Sequence, residues 1–263
     1  MVRYGYADTS ASFRGKTPPA VGPHLDFATF KYREFNSLRR EIAQELCKIS
    51  VREDALEILR VGAAASNTVR AQADLFALPC APAHQIYAGV LYNALDFSSL
   101  TASQQSFAEK SVIIFSGLFG VLGLEDLIPI YRLTMGTKLP LLGNTKNLWK
   151  QELHGFDIGE NELIIDCRSG NYQVWDPPKS AAWITITAER EVDGRRKVVS
   201  HNAKHYRGML TRALITQQAD ISSSAKLHEF AQEYLVADGT ISKVELHSGK
   251  TAKSPEKLVL IQK

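Results

Sequence analysis

The stretch WITITAEREVDGRRKVVSHNAKHYRG, residues 183–208, decides the fold. Residues 183–187 alternate bulky and β-branched side chains, and residues 197–199 form a second short apolar run. Between them, Asp193-Gly194 is a pair that accepts the positive φ angles of a tight hairpin turn, so the two runs read as antiparallel neighbours. The period then changes. On a helix advancing about 100° per residue, Ala203, Tyr206, Leu210, Ala213, Leu214 and Gln217 share one arc roughly 100° wide. A hairpin feeding an amphipathic helix predicts an α/β fold, a mixed sheet with surrounding helices.

Further strands are predicted at residues 112–115, 163–165 and 258–261, and further helices at 35–49, 51–61, 86–95 and 225–236. Ser50 with Glu53 and Thr101 with Gln104 match the capping box, and Asp238-Gly239 marks a helix stop. Nothing resembling a repeat or a linker divides the chain, so residues 1–263 read as a single domain. The first 30 residues, rich in Gly, Pro, Ser and Thr, read as loop.

With 44% hydrophobic and 22% charged residues the composition is that of a globular protein. No apolar run reaches the roughly 18 residues of a membrane span, and no secretory leader is evident, so a cytoplasmic protein with no membrane partner is expected. Cys47, Cys80 and Cys167 form no CxxC pair and read as buried thiols. A net charge of +3 is too small to announce a nucleic-acid partner by itself. Charge is locally uneven, however. Residues 190–212 carry Arg190, Arg195, Arg196, Lys197, Lys204, Arg207 and Arg212 against Glu191 and Asp193.

On the helix beginning near residue 201, His201, Lys204, Gly208 and Thr211 share a second face, bordered by Arg207. Glycine in a helix interior costs about 1 kcal/mol relative to alanine, so Gly208 predicts a close approach, either by an anion met by Lys204 and Arg207 or by a neighbouring helix. His201 and His205 have the i, i+4 spacing of metal ligands, but no third ligand or HExxH accompanies them, and neither a metal nor a cofactor is predicted. Residues 116–136 interleave glycines with apolar residues, as a structural turn does and as a helical hairpin offering backbone N–H groups to phosphate also does. Tyr131 and Arg132 follow, with Asp126 or Asp166 as possible partners for a buried arginine. Asp166, Arg168 and Ser169-Gly170 lie just past a strand, where ligand loops commonly sit. There is no GxSxG, GxGxxG or complete Walker motif. Residues 13–17 resemble only the end of a phosphate loop.

IYAGVLYNAL (86–95), SGLFGVLGLEDLIPIYRLTMGTKLP (116–140), LIIDCRSGNY (163–172) and VVSHNAKHYRG (198–208) together resemble the peroxide stress protein YaaA family, from about residue 87 to 214. The resemblance implies one cytosolic YaaA-like domain with a positively charged cleft, a helix-hairpin-helix element associated with DNA, and a role in limiting peroxide damage linked to intracellular iron. It would make residues 116–130 the hairpin and put Tyr131, Arg132, Lys204 and Arg207 in the cleft. The amino terminus departs from the family pattern, keeping only Gly15-Lys16-Thr17 of its motif.

Two readings follow. In the first, the chain binds DNA without sequence preference, through Lys16, Tyr131, Arg132, Arg168, Ser169, Lys204, Arg207 and Gly208. In the second, it is an enzyme for a compact anionic substrate such as a nucleotide or amino-acid derivative. Arg132, Arg168 and Lys204 would then converge on the substrate, with Lys204 as base or nucleophile and His201 carrying the proton. A module docking an acidic partner is the third possibility.

Overall fold

An interior strand of the main sheet comes from the amino-terminal stretch. The computed structural model describes residues 2–7, 19–158, 163–192, 195–237, 239–249, 251 and 254–262. Its strands in chain order are β1 (Val2–Ala7), β2 (Cys80–Pro82), β3 (Val112–Ser116), β4 (Gly120–Leu122), β5 (Leu127–Pro129), β6 (Lys138–Leu139), β7 (Gly143–Asn144), β8 (Leu163–Asp166), β9 (Ala182–Val192), β10 (Arg195–Val198), β11 (Lys243–His247) and β12 (Glu256–Gln262). The α-helices are α1 (Asn36–Ser50), α2 (Ala55–Ile58), α3 (Ser66–Ala71), α4 (Ala83–Ile86), α5 (Val90–Leu95), α6 (Ala102–Ser111), α7 (Thr145–Glu152), α8 (Ser200–Thr216) and α9 (Ser224–Ala231).

The main sheet is mixed and eight-stranded, in the order β11-β12-β9-β8-β1-β3-β4, with β10 paired to β9. β3, β1, β8, β9 and β12 run parallel, while β4, β10 and β11 are antiparallel additions. β3 and β8 are buried at every position, as parallel strands covered on both faces are.

All the strands and most of the helices predicted from periodicity are present. β9 and β10 pair antiparallel with Arg195 opposite Val192, though the Asp193-Gly194 turn itself lies outside the described residues. Thr101 forms the predicted capping box with Gln104 at the start of α6. Ser50 does not cap. It is the last residue of α1, and its hydroxyl donates to the Leu46 carbonyl. The predicted helix over 86–95 is broken at Gly89, which adopts φ +124° before α5.

Two expectations are overturned. The first 30 residues are not all loop, because β1 supplies two parallel partnerships at once, Tyr4 opposite Val112 and Val2 opposite Leu163. Residues 116–130 are not a helical hairpin but strand, turn and strand. β4 returns antiparallel on β3, with Ser116 opposite Gly120, and β5 pairs with β2. Side chains hold this path by taking the backbone groups a helix would use. Buried Arg39 of α1 donates to the Phe119 and Val121 carbonyls, and Asp126 accepts from the Gly123 N–H at 2.9 Å. Gly120, at φ +68°, lies against the Trp149 ring, where a Cβ would come within 2.3 Å of a ring carbon.

Candidate functional site

In parallel sheets ligands gather outside the carboxyl ends of strands, where the connections diverge to either side. Here that point is the end of β1, flanked by β3 and β8, so Ser116 and Asp166 mark its two neighbours. The segment that follows β1, including Lys16, lies outside the described residues.

On the β3 side the strand end carries a buried chain of hydroxyls. Ser116 Oγ accepts from the N–H groups of Leu118 at 3.2 Å and Phe119 at 3.0 Å, and shares a 2.6 Å hydrogen bond with the Tyr131 hydroxyl. Tyr131 OH in turn lies 2.8 Å from Tyr87 OH. All three side chains are inaccessible or nearly so. With both lone pairs of Ser116 Oγ taken by N–H groups, its proton goes to Tyr131 OH, so the chain is polarised one way, from the β3 end toward Tyr87. The Tyr87 ring stacks on Tyr92 with centroids 5.6 Å apart and planes 19° apart.

Tyr87 and Tyr92 line a cavity of about 780 Å³, within the size range of small-molecule sites. His84 enters it from α4, its Nε2 lying 3.2 Å from a Glu125 oxygen and its ring 4.2 Å from that of Phe97. Asp96 and Glu109 add two more carboxylates to the lining. Burial and the nearby charge of Glu109 push the Glu125 carboxyl above its ordinary value.

On the β8 side the chemistry is structural. Arg168, expected to meet an anion, is 2% exposed and is consumed by the protein itself. Its guanidinium donates to both Asp166 oxygens at 2.8 Å and to the Trp175 carbonyl at 2.9 Å, and lies 4.4 Å from the Phe115 ring centroid. Ser169 is half-buried and opens a short turn in which its carbonyl accepts from the Tyr172 N–H. The Cys167 thiol, facing Thr211 and Arg207 of α8, is pushed up to about 12 by burial, so it is no nucleophile at neutral pH.

The α8 residues divide. Arg207 donates through Nε and Nη2 to the Ile186 carbonyl at 2.9 and 2.7 Å, anchoring the helix to β9. Gly208 is filled by protein. A Cβ there would lie 2.3 Å from the Leu91 carbonyl oxygen and 2.7 Å from the Ala94 Cβ, both of α5. The missing side chain serves helix packing, not an anion. Thr211 is fully buried as well, because α8 is packed between β9, α5 and α6 and has no wide solvated face. Lys204 is half-buried, and the side chain of His201, in the first turn of α8, lies outside the described residues. Arg132 is half-buried, and its N–H donates to the Gln72 side chain. The expected convergence of Arg132, Arg168 and Lys204 on one ligand does not form, since Arg168 is enclosed with Asp166.

Of the predicted set, the structure therefore places Tyr131 at the centre of a chemically capable cluster. Its partners Ser116 and Tyr87, and His84 and Glu125 nearby, are not legible as a site from local motifs, although IYAGVLY and SGLFG contain two of them. Among the described residues no group of three or more His, Cys, Asp or Glu is placed to hold a metal, and no helix is long and apolar enough to cross a membrane.

The sequence profile described as peroxide stress protein YaaA matches residues 18–239. This chain belongs to the YaaA peroxide stress family. The match begins after β1 and runs through every element that forms the hydroxyl chain and the cavity beside it. The chain is 35% identical to a UPF0246 protein of Corynebacterium efficiens, with 89% of this chain and 93% of that protein covered. It is 32% identical to a UPF0246 protein of Streptomyces coelicolor, covering 82% and 85%, and 30% identical to one of Burkholderia mallei, covering 86% and 90%.

Proposed function

We propose that this chain serves in the response to hydrogen peroxide by acting on a compact ligand held in the Tyr87 cavity, with the Ser116–Tyr131 hydroxyls polarising Tyr87 at its wall. The observation that carries this reading is the continuity of that buried chain from the carboxyl end of β3 to a cavity of ligand size. In this reading Tyr87 and Tyr131 take the role that the sequence offers to Lys204 and His201. The test is thermal unfolding of the whole protein against a panel of metabolites, repeated with Tyr131→Phe. A compound that raises the wild-type midpoint should lose its effect or its turnover in the variant, which keeps the ring and removes the central hydroxyl. A panel in which no metabolite stabilises the protein would remove the cavity as the working site.

A second reading, DNA binding, is favoured by one other feature. The distal half of β9 and all of β10 form a ribbon whose Arg190, Arg195 and Lys197 are exposed, while Arg196 is tied to Glu245 at 2.7 Å. Half-buried Lys204 and Arg132 would add to such a surface. Duplex DNA anisotropy across a salt series distinguishes it: binding that weakens with salt and with an Arg195→Ala, Lys197→Ala double variant supports DNA contact. Binding that ignores both excludes it.

A further inference from the structure

Resting on the reading that the Tyr87 cavity is the ligand site, we infer that it takes a flat nitrogen heterocycle without phosphate, a nucleobase or its nucleoside. The basic residues of the sequence predict an anion, but the described lining of the cavity suits the opposite charge. Among its described lining residues there is no lysine or arginine, whereas Asp96, Glu109 and Glu125 contribute carboxylates and His84 the one imidazole. Arg212 offsets Asp96 in part, its Nη1 lying 3.6 Å from Asp96 Oδ2, and Lys31 Nζ lies 3.2 Å from the Glu109 carbonyl outside the lining. Glu125 Oε1 is engaged by His84 Nε2, which leaves its second oxygen and the Glu109 carboxylate as acceptors in the lining.

The walls supply what a planar ring requires. Tyr87 and Tyr92 form one stacked pair, and His84 with Phe97 a second, tilted by 42°. Aromatic faces of this kind bind a base through its π surface whatever its sequence identity. The carboxylates select for exocyclic amino groups, as Asp and Glu accept from the amino group of cytosine in nucleic-acid recognition. A phosphate would enter beside two carboxylates, with no guanidinium among the described lining residues to meet it, a like-charge contact that costs affinity. Asn93 and Gln105 add amide groups to the lining, which suit a ring edge.

Equilibrium dialysis of the full chain against adenine, cytosine, adenosine and AMP tests this. The expected result is that a base or adenosine binds at least about tenfold tighter than AMP, a difference of about 1.4 kcal/mol. Glu125→Gln should narrow the gap between adenosine and AMP, and Asn93→Trp, which fills the cavity from the exposed side of α5, should abolish binding. AMP binding equal to or tighter than adenosine, and lost in Asn93→Trp, overturns the ligand class while leaving the cavity as the site. Failure of all four compounds to bind also overturns the class. The cavity itself falls only if the wider metabolite panel likewise yields nothing.

Discussion

Arg168 and the cysteines show how burial decides what a residue does. Arg168 in its strand-end loop has the sequence profile of an anion receptor, yet its fork is closed on Asp166. Removing one partner of a buried ion pair leaves the other uncompensated, so Arg168→Ala should cost about 3–5 kcal/mol in urea unfolding. An unchanged midpoint would show that the pair contributes nothing. The thiols make a pH-dependent prediction. Burial raises Cys80 and Cys167 from an ordinary 9.0 to about 12. Below pH 9 both states hold these protons and no stability depends on them. Between pH 9 and 12 the unfolded chain releases protons that the folded chain retains, so stability falls as pH rises through that window. Cys167→Ala should flatten the decline, which urea midpoints measured at rising pH would reveal. The same protonation keeps both thiols slow toward peroxide and alkylating reagents in the folded protein.

Among the elements, α8 is legible in the sequence in its outline but not in its surroundings. Its length and apolar arc follow from Ala203, Tyr206, Leu210 and Leu214, all buried. What periodicity cannot show is that a second helix covers the other side, which turns Gly208 from an opening into a contact. Gly208→Ala gains about 1 kcal/mol of helix propensity, but overpacking against the Leu91 carbonyl typically costs about 1–3 kcal/mol. A lowered melting temperature is therefore expected. Gly62→Ala, with nothing within 4 Å and φ −77°, should be tolerated. Residues 116–130 were ambiguous for another reason. Glycines among short apolar runs fit turns between brief strands as well as a helical hairpin, and the deciding groups, Arg39 and Trp149, lie far away in sequence. The hydroxyl chain is hidden from local motifs for the same cause: Ser116, Tyr131 and Tyr87 belong to separate segments joined only by the fold.

At the scale of the whole molecule, the mixed sheet is legible from five apolar runs and one Asp-Gly pair, because alternation and turn chemistry are local. The amino-terminal strand was not, since VRYGYA carries too little apolar character to stand out beside the Gly- and Ser-rich residues after it. Its place in the sheet makes it the least dispensable strand. Deleting residues 1–7 would leave β3 and β8 with unpaired inner edges, so the truncated protein should aggregate on expression, whereas wild type stays dispersed in the same buffer. Soluble, folded truncated protein would contradict the interior position of β1.

That position also sets an order of events during synthesis. β1 is made well before its partners, since Val112 and Leu163 follow only after a large part of the chain has been added. At ordinary elongation rates of about 5–20 residues per second, the strand waits on the order of ten seconds for its second neighbour. Throughout that interval the nascent chain carries an unsatisfied β-edge, the kind of surface through which unfinished chains pair with one another.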